Sequence, residues 1–208
     1  MAHHFLSLTT LSASYNDFSR LNSPLCSDTL VSLTLEQNAF ESLISLSPLT
    51  SLPNLKSLSL RGNALSSVHD LDDTAATDST SRDLRFSKSL EYVDLSYNAI
   101  SRWSFIDDLH NVFPGLTGLR TSHNPLYEKP AANEGKVMSV DEGYMLTLAR
   151  LGNLKTLNFS NVSNHLRRYE SISIWHTHQP TDCKTRAHKR RNVLSLPHCQ
   201  SHGRRLGS

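Results

Sequence analysis

The stretch "LEYVDLSYNAI", residues 90–100, decides the fold of this 208-residue chain. Apolar residues at Leu90, Val93 and Leu95 are separated by polar ones in the way that is typical of a half-buried strand. An asparagine, Asn98, then stands two residues before the next apolar side chain, Ile100. The frame is L-x-x-L-x-L-x-x-N-x-L, with one valine and one isoleucine in place of leucine. Recurrence of this frame along the chain would indicate a repeat protein.

The frame does recur. The remaining copies, of which the last is incomplete, are Leu8, Leu11, Ala13, Asn16 and Phe18; Leu30, Leu33, Leu35, Asn38 and Phe40; Leu55, Leu58, Leu60, Asn63 and Leu65; Leu116, Leu119, Thr121, Asn124 and Leu126; and Leu154, Leu157 and Phe159, with Val162 in place of the asparagine. Successive asparagines are 22, 25, 35 and 26 residues apart, and a leucine-rich repeat spans about 20 to 29 residues. We therefore predict an α/β fold, an open leucine-rich-repeat solenoid of about six repeats, curved as a horseshoe arc with parallel strands on its concave face.

The asparagines have a structural explanation. The backbone must leave each strand inside the core, where its N–H and C=O groups lose water and need partners. An asparagine side chain offers both a donor and an acceptor on a short stem, so it can serve the turn of its own repeat and that of the next one. We predict a structural asparagine ladder, with no catalytic role, formed by Asn16, Asn38, Asn63, Asn98 and Asn124.

Composition divides the chain into a repeat domain, residues 1–162, and a basic tail, residues 163–208. The first part has 12 Lys and Arg against 17 Asp and Glu, and the second has 9 against 2. The tail lacks apolar periodicity, so we predict that it is disordered. Within the repeat domain, residues 66–89 lie in the longest interval between successive asparagines, from Asn63 to Asn98, and are predicted to be a flexible insertion.

A helix over residues 139–152 is predicted to close the C-terminal end of the core. Ser139 and Glu142 have the spacing of a capping box, and Gly152 is placed to end the helix. Met145, Leu148 and Leu151 make one apolar face.

The sequence excludes several functional classes. It has no nucleophile elbow, no phosphate-binding glycine loop and no His-Glu-x-x-His motif, so we predict no enzyme activity and no cofactor. His110 beside Asp107 and Asp108 is typical of ordinary surface. We also predict no metal site, because the spacing of the tail residues that resemble zinc ligands matches none of the usual frames; these residues are Cys183, His188, His198, Cys199 and His202.

The sequence also bears on location. No apolar run approaches the length of about 18 residues that a membrane span needs, and the first residues lack a secretory signal. Three scattered cysteines do not form a disulfide framework. We therefore expect a cytoplasmic protein without a membrane partner.

Function is then expected from the concave face. Side chains that flank the inward leucines project from the sheet and form a platform for a protein partner. Small hydroxylated residues dominate the N-terminal half of this face, and longer polar or aromatic ones begin at Glu36. Tyr and Arg are favoured at binding hot spots, and the predicted partner-binding residues are Glu36, Arg61, Tyr92, Asp94 and Arg120.

Three stretches resemble the repeat region of the tubulin-specific chaperone E family in a fungal form. They are "LVSLTLEQNAFESLISLSPLTSLPNLKSLSLRGNAL", "VDLSYNAISRWSFIDDLHNVFPGLTGLRTSHNPLYE" and "DEGYMLTLARLGNLKTLNFS". The resemblance covers roughly Leu8 to Val162, and "FPGLTGLRTSHNPL" and "ARLGNLKTLNFS" are more specific than repeat spacing alone. It implies a non-enzymatic, cytoskeleton-associated protein that binds α-tubulin and acts with other tubulin-folding cofactors in assembling or dismantling the α/β-tubulin heterodimer.

The chain departs from that family beyond the repeats. Family members carry a CAP-Gly module before the repeats and a ubiquitin-like domain after them, and this chain has neither. We interpret it as a truncated form, with a tail translated from a non-coding or shifted frame and with further repeats expected before Met1. The rival interpretations of "KTRAHKRR" are a nucleic-acid arm or a nuclear signal, but we do not expect nucleic acid as a partner. The alternative function is a generic leucine-rich-repeat scaffold or adaptor of the phosphatase-regulatory or ribonucleoprotein type.

Overall fold

Seven short strands form one sheet in chain order. The computed structural model describes residues 7–69, 84–128 and 139–163. Strands β1 to β6 are parallel and β7 is antiparallel to β6. The inward leucine or valine of each strand pairs in register with that of the next, from Leu11 with Leu33 to Leu119 with Leu157. The strands are Thr10–Ser12 (β1), Ser32–Thr34 (β2), Ser57–Ser59 (β3), Tyr92–Asp94 (β4), Gly118–Arg120 (β5), Thr156–Leu157 (β6) and Ser160–Asn161 (β7).

Helical segments connect several of the strands. A 3-10 helix spans Leu43–Ser51, and the α-helices are Trp103–Val112 (α1), Pro125–Glu128 (α2) and Val140–Arg150 (α3). One apolar core joins them to the sheet, and it includes the inward residues Leu33, Leu58, Val93, Leu119 and Leu157. Burying a side chain of this size contributes about 1.5 to 3 kcal/mol, so the stacked repeats stabilise one another. Side chains on either side of the inward residues point away from the core; we call this side of the sheet the outer face, and it is the face predicted to be concave.

Helix α3 begins at the predicted capping box. Ser139 Oγ accepts a hydrogen bond from the Glu142 backbone N–H at 3.2 Å, and the Glu142 carboxylate accepts one from the Ser139 N–H at 2.8 Å. The predicted apolar face was partly wrong, because Met145 is only half-buried whereas Gly143, Thr147 and Leu148 are buried. Gly143 leaves room on this buried face of the helix for a neighbouring ring. A Cβ at position 143 would lie 2.7 Å from Tyr127 Cδ1, so the glycine allows the tyrosine ring to pack against the helix.

The predicted limits of the insertion were too wide. Val68, Leu84 and Phe86 are buried in the core, and the Phe86 ring packs against Phe113 with centroids 4.8 Å apart. Apolar side chains at both ends of the insertion therefore belong to the solenoid. Residues 70–83 lie outside the described part of the chain.

The first repeat is less buried than the others. Leu8, Leu11 and Ala13 are partly buried and pack against the core, but Phe18, predicted to point inward, is 40% exposed. The equivalent Phe40 of the second repeat is fully buried, because β2 of that repeat has a neighbouring strand on each side. Burial at this position thus depends on a neighbouring repeat.

The sixth copy of the frame adds β6 to the parallel sheet and then departs from the repeat. Asn158 and Phe159 have positive φ angles of 48° and 68°, as in a type I′ turn, and the chain reverses into β7. Phe159, predicted to point inward, is 73% exposed. Asn158 Oδ1 instead accepts a hydrogen bond from the Thr121 N–H at 2.9 Å, and a side chain thereby replaces the backbone partner that the ladder would have supplied. Beyond Ser163 the predicted basic tail, with its cysteine and histidine residues, lies outside the described residues.

Candidate functional site

Asparagine side chains hold the turns that follow the strands. Asn98 Nδ2 donates to the carbonyls of Leu60, Leu95 and Ser96 at 3.0 to 3.2 Å, while its Oδ1 accepts from the Leu65 N–H at 3.1 Å. Asn38, Asn63 and Asn124 make equivalent bonds and are also buried. Each of these side chains bonds to the backbone of its own repeat and to that of the preceding repeat, whereas the prediction was the next repeat.

Asn16 occupies the end of this series. Its side chain is exposed and donates to the Ser14 carbonyl at 2.9 Å, and its own N–H donates to Asn38 Oδ1 at 3.1 Å. It therefore bonds within its own turn and does not bridge two repeats through its side chain.

The residue before each of these asparagines has a left-handed backbone. Tyr15, Gln37, Gly62, Tyr97 and His123 have φ angles between 52° and 71°. This conformation is unfavourable for residues other than glycine, and only one of the five is glycine. The repeats place these residues in corresponding positions, so we call the set the left-handed row.

An aromatic stack runs along the left-handed row. The Arg61 guanidinium carbon lies 4.7 Å from the centroid of the Tyr97 ring, and that ring stacks on the His123 imidazole with centroids 4.2 Å apart and an interplanar angle of 24°. His123 Nδ1 is 3.7 Å from Glu128 Oε1. The four residues come from three successive repeats. Tyr97 is 43% exposed, so the stack lies at the surface.

A second cation lies in β5. Arg120 Nη1 is 3.4 Å from Asp94 Oδ2, and the guanidinium carbon is 4.5 Å from the Phe159 ring centroid. Asp94 Oδ1 also accepts hydrogen bonds from the N–H and Oγ of Ser96 at 2.8 and 2.6 Å. Asp94 is only 5% exposed. A partner could therefore reach little of the Asp94 side chain, whose carboxylate lies beside Arg120, and its predicted role as a partner-binding residue stays a prediction.

Tyr92 lies on the outer face in β4, the strand between β3 and β5. A Cβ at Gly118 would stand 2.9 Å from Tyr92 Cδ2 and 2.9 Å from Thr156 Oγ1, so the glycine makes room for the tyrosine ring. Burial raises the pKa of the Tyr92 hydroxyl, and the negative charges of Asp94 and Glu36 add to this rise while Arg120 opposes it. The hydroxyl therefore stays protonated at neutral pH and can donate a hydrogen bond to a partner.

The outer face changes character along the sheet. At the N-terminal side, Ser12, Ser32 and Thr34 present small hydroxyls, and Glu36 accepts a hydrogen bond from Ser59 Oγ at 2.6 Å. At the C-terminal side the larger residues, apart from Asp94, are aromatic or cationic. We call this region the aromatic-cationic patch, and it consists of Arg61, Tyr92, Tyr97, Arg120, His123 and Phe159.

Half of the patch was missed from the sequence. Tyr97 and His123 stand immediately before ladder asparagines, and this position was not assigned to the surface. Phe159 was placed inside the core. The surface position of Tyr97 and His123 could have been predicted from the sequence, because bulky residues beside each asparagine cannot enter a core already filled by leucine.

The described residues offer little to a small ligand. They contain no cluster of three or more His, Cys, Asp or Glu side chains placed to bind a metal ion. A pocket lined by Phe113, Arg150 and Leu154 has a volume of about 60 Å³, whereas ligand sites usually exceed about 300 Å³. Within residues 7–69, 84–128 and 139–163, every helix is too short or too polar to span a lipid bilayer.

Sequence comparison finds similarity over part of the chain. Tubulin-specific chaperone E of Homo sapiens is 32% identical over 117 residues, which cover 56% of this chain and 20% of that protein. The same protein of Pongo abelii gives the same values. Receptor-like protein kinase BRI1-like 3 of Arabidopsis thaliana is 32% identical over 116 residues, covering 54% of this chain and 9% of the kinase. The chain therefore matches a fifth or less of the length of these relatives, and no protein-family model matches it.

Structural comparison agrees with the repeat architecture. A chain in the crystal structure of the Drosophila melanogaster SNF/U2A′ complex superimposes with a TM-score of 0.58 and 17% identity, covering 86% of this chain and 87% of that one. At this identity the similarity shows the fold alone. With the parallel strands and the bridging asparagines, it shows that the chain has a leucine-rich-repeat fold.

Proposed function

We propose that this chain is the non-enzymatic protein-binding module of a tubulin-folding cofactor of the chaperone E type, in a fungal form. Its outer face binds α-tubulin while other cofactors assemble or dismantle the α/β-tubulin heterodimer. The protein acts in the cytoplasm, in association with the cytoskeleton. The observation that carries the proposal is the 32% identity over 117 residues to tubulin-specific chaperone E.

The surface supports a protein partner over a small ligand. Tyrosine and arginine dominate the aromatic-cationic patch, and these residue types are enriched at the centres of protein interfaces. The Tyr92 ring packs over Gly118, and Arg120 contacts Asp94 and Phe159. Ordered anchors lose little conformational entropy on binding, so they favour affinity.

The test is capture of purified α/β-tubulin by the immobilised chain. Tyr92→Ala and Arg120→Ala should each weaken capture at least about fivefold, because a truncated anchor loses contact area. Arg102→Ala is the matched control, since Arg102 is exposed and directly precedes α1, away from the sheet. Arg120→Gln is a second variant that keeps a hydrogen-bond donor beside Asp94. Equal capture by all four variants and the parent would contradict the proposal.

The contribution of the basic tail to capture is tested in a separate experiment. Residues 163–208 carry a net charge of +7, with His counted as neutral, and such a charge attracts acidic surfaces without specificity. Deleting the residues after Asn164 should weaken capture only at low salt, because screening sets in over about 8 Å at physiological ionic strength. The deficit of Tyr92→Ala should persist at every salt concentration. Dependence on the tail alone would remove the cofactor function from this chain.

Pull-down from a cell extract separates this function from a generic adaptor. Enrichment of α-tubulin supports the proposal. Enrichment of a phosphatase or a ribonucleoprotein without tubulin would favour the phosphatase-regulatory or ribonucleoprotein alternative. The structural similarity to the SNF/U2A′ complex chain supplies the fold for either role but no partner.

A further inference from the structure

Two serines of the chain stand directly before a proline. They are Ser23, before Pro24, and Ser47, before Pro48, and no threonine precedes a proline anywhere in the sequence. Proline disfavours a helical backbone at the residue before it and favours an extended one. Because proline has no N–H group, a protein that binds the dipeptide in extended form has one donor fewer to satisfy. Protein kinases of the proline-directed class recognise serine in this context.

Ser23 is accessible to an enzyme. It lies in the irregular connection between β1 and β2, where Asn22, Ser23 and Pro24 are all exposed. Among the described residues the Ser23 hydroxyl has no hydrogen-bond partner. The hydroxyl is therefore available as a nucleophile without loss of a bond within the fold.

Few contacts need to open for this connection to enter a kinase cleft. The Leu21 N–H donates to the Ser45 carbonyl at 3.0 Å, and the Leu25 carbonyl accepts from Ser51 Oγ at 3.1 Å. Both leucines are only partly buried. Segments with few buried apolar contacts open locally at a low cost in free energy. Residues 19–28 can therefore extend while the later repeats stay folded.

Ser47 has the same dipeptide in a protected setting. It lies in the 3-10 helix Leu43–Ser51, with Pro48 inside the helix and buried Leu46 directly before it. Its carbonyl accepts a hydrogen bond from Thr50 Oγ1 at 2.7 Å. Extending this segment would withdraw buried leucines from the core, which costs far more than opening a partly buried connection. The chain thus carries one accessible copy of the motif and one protected copy.

We propose that Ser23 is a phosphorylation site for a proline-directed protein kinase. Ser23 Oγ attacks the γ-phosphorus of ATP, the bond from that phosphorus to the β,γ-bridging oxygen breaks, and the products are phosphoserine and ADP. The hydroxyl proton passes to a carboxylate base of the kinase. The transferred group adds a charge of about −1.5 to −2 at neutral pH. Arg20 is exposed three residues earlier, and a guanidinium pairs well with phosphate.

The site does not depend on the proposed function, and its test needs no tubulin. The folded full-length chain is incubated with ATP and a purified mitogen-activated protein kinase, and tandem mass spectrometry locates the phosphate. Incorporation should be at least about tenfold faster at Ser23 than at Ser47, because only the first segment opens at low cost. Ser23→Ala should abolish incorporation at that site, and Ser47→Ala should leave it unchanged. Absence of phosphate from Ser23, or equal incorporation at Ser47, would overturn the proposal.

A variant of the proline tests what the kinase reads. Pro24→Ala should slow phosphorylation of Ser23 at least about tenfold, because it restores an N–H donor that the kinase cleft leaves unsatisfied. Pro53→Ala is the matched control, since Pro53 is also exposed but follows a leucine. It should leave the rate unchanged. Phosphorylation of Pro24→Ala at the rate of the parent would contradict a proline-directed site.

Two further measurements separate the effect of the fold from that of the sequence. A synthetic peptide of residues 42–52 should be phosphorylated at Ser47, because the helix no longer protects the serine. A peptide that is not a substrate would assign the protection of Ser47 to its sequence, against the proposal. Phosphorylation of the folded chain at Ser23 should leave the midpoint of urea unfolding unchanged, because the side chain is exposed. A lower midpoint would show that the phosphate disturbs a packed segment and would also count against the proposal.

Discussion

The side-chain oxygen of Asn98 accepts a hydrogen bond at 3.1 Å from the backbone N–H of Leu65, a residue 33 positions earlier in the chain. The long insertion lies between these two residues, yet the repeats on its two sides are bonded as closely as neighbours without one. Asn98 therefore links the two repeats that are separated by the longest stretch of sequence.

Asn98→Ala should lower the free energy of unfolding by about 3 kcal/mol, because it leaves the Leu65 N–H and several carbonyls buried without partners. Asn16→Ala is the matched control. Asn16 is exposed and its side chain bonds only within its own turn, so the loss should stay below about 1 kcal/mol. Urea unfolding followed by circular dichroism measures both. Similar losses at the two sites would show that the ladder does not depend on burial.

Leu95→Ala should cost about 2 to 5 kcal/mol, since Leu95 is fully buried in the middle of the stack. Leu11→Ala in the first repeat should cost less, because Leu11 is only partly buried. The thermal unfolding transition of each variant checks the order. A transition of Leu95→Ala within a degree or two of the parent would mean that the packing around the fourth repeat can collapse onto the cavity.

Gly115→Ala and Gly152→Ala form a contrasting pair. A Cβ at Gly115 would overlap the backbone carbonyl of Lys88, whereas nothing lies within 4 Å of a Cβ at Gly152. Backbone cannot move aside as a flexible side chain can, so Gly115→Ala should destabilise by about 3 kcal/mol or more. Gly152→Ala should stay within about 0.5 kcal/mol of the parent. The midpoints of chemical unfolding of the two variants measure these losses. A larger loss for Gly152→Ala than for Gly115→Ala would show that the turn before β5 is not packed against Lys88.

Tyr127 should make the fold sensitive to alkali. Burial raises the pKa of its hydroxyl, although hydrogen bonds with Thr121 and Thr147 oppose the rise. Since the unfolded chain loses this proton at lower pH than the folded one, the stability that Tyr127 contributes is fully present below about pH 10 and is lost as the pH rises through the folded pKa. Tyr127→Phe should therefore flatten the decline in unfolding free energy above that pH.

The control for this profile is Tyr15→Phe, because Tyr15 is 79% exposed. It should leave the alkaline decline as steep as in the parent. At neutral pH, Tyr127→Phe should cost about 1 kcal/mol through the lost hydrogen bonds to the two threonines. An alkaline profile unchanged by Tyr127→Phe would contradict the assigned source of the effect.

Periodicity in the sequence predicts the strands and their register, because the inward residue of each strand is a leucine or valine at a fixed place in the frame. It does not predict backbone conformation at the position before each asparagine, since a bulky residue such as Tyr97 is a poor candidate for a left-handed backbone on propensity alone. The stacking of Tyr97 on His123 therefore emerges only in the structure. The burial of Asp94 was missed for a similar reason, because Ser96 lies beside it in sequence but Arg120 reaches it from the next strand.

The reversal at Asn158 and Phe159 has a consequence for association between molecules. A parallel edge strand in register with its neighbours is a template on which another solenoid can stack. Here the edge beside β6 is taken by β7, which runs the opposite way. A parallel strand from a second molecule therefore finds the hydrogen-bonding edge of β6 already occupied, and it cannot stack directly on the last parallel strand of this sheet.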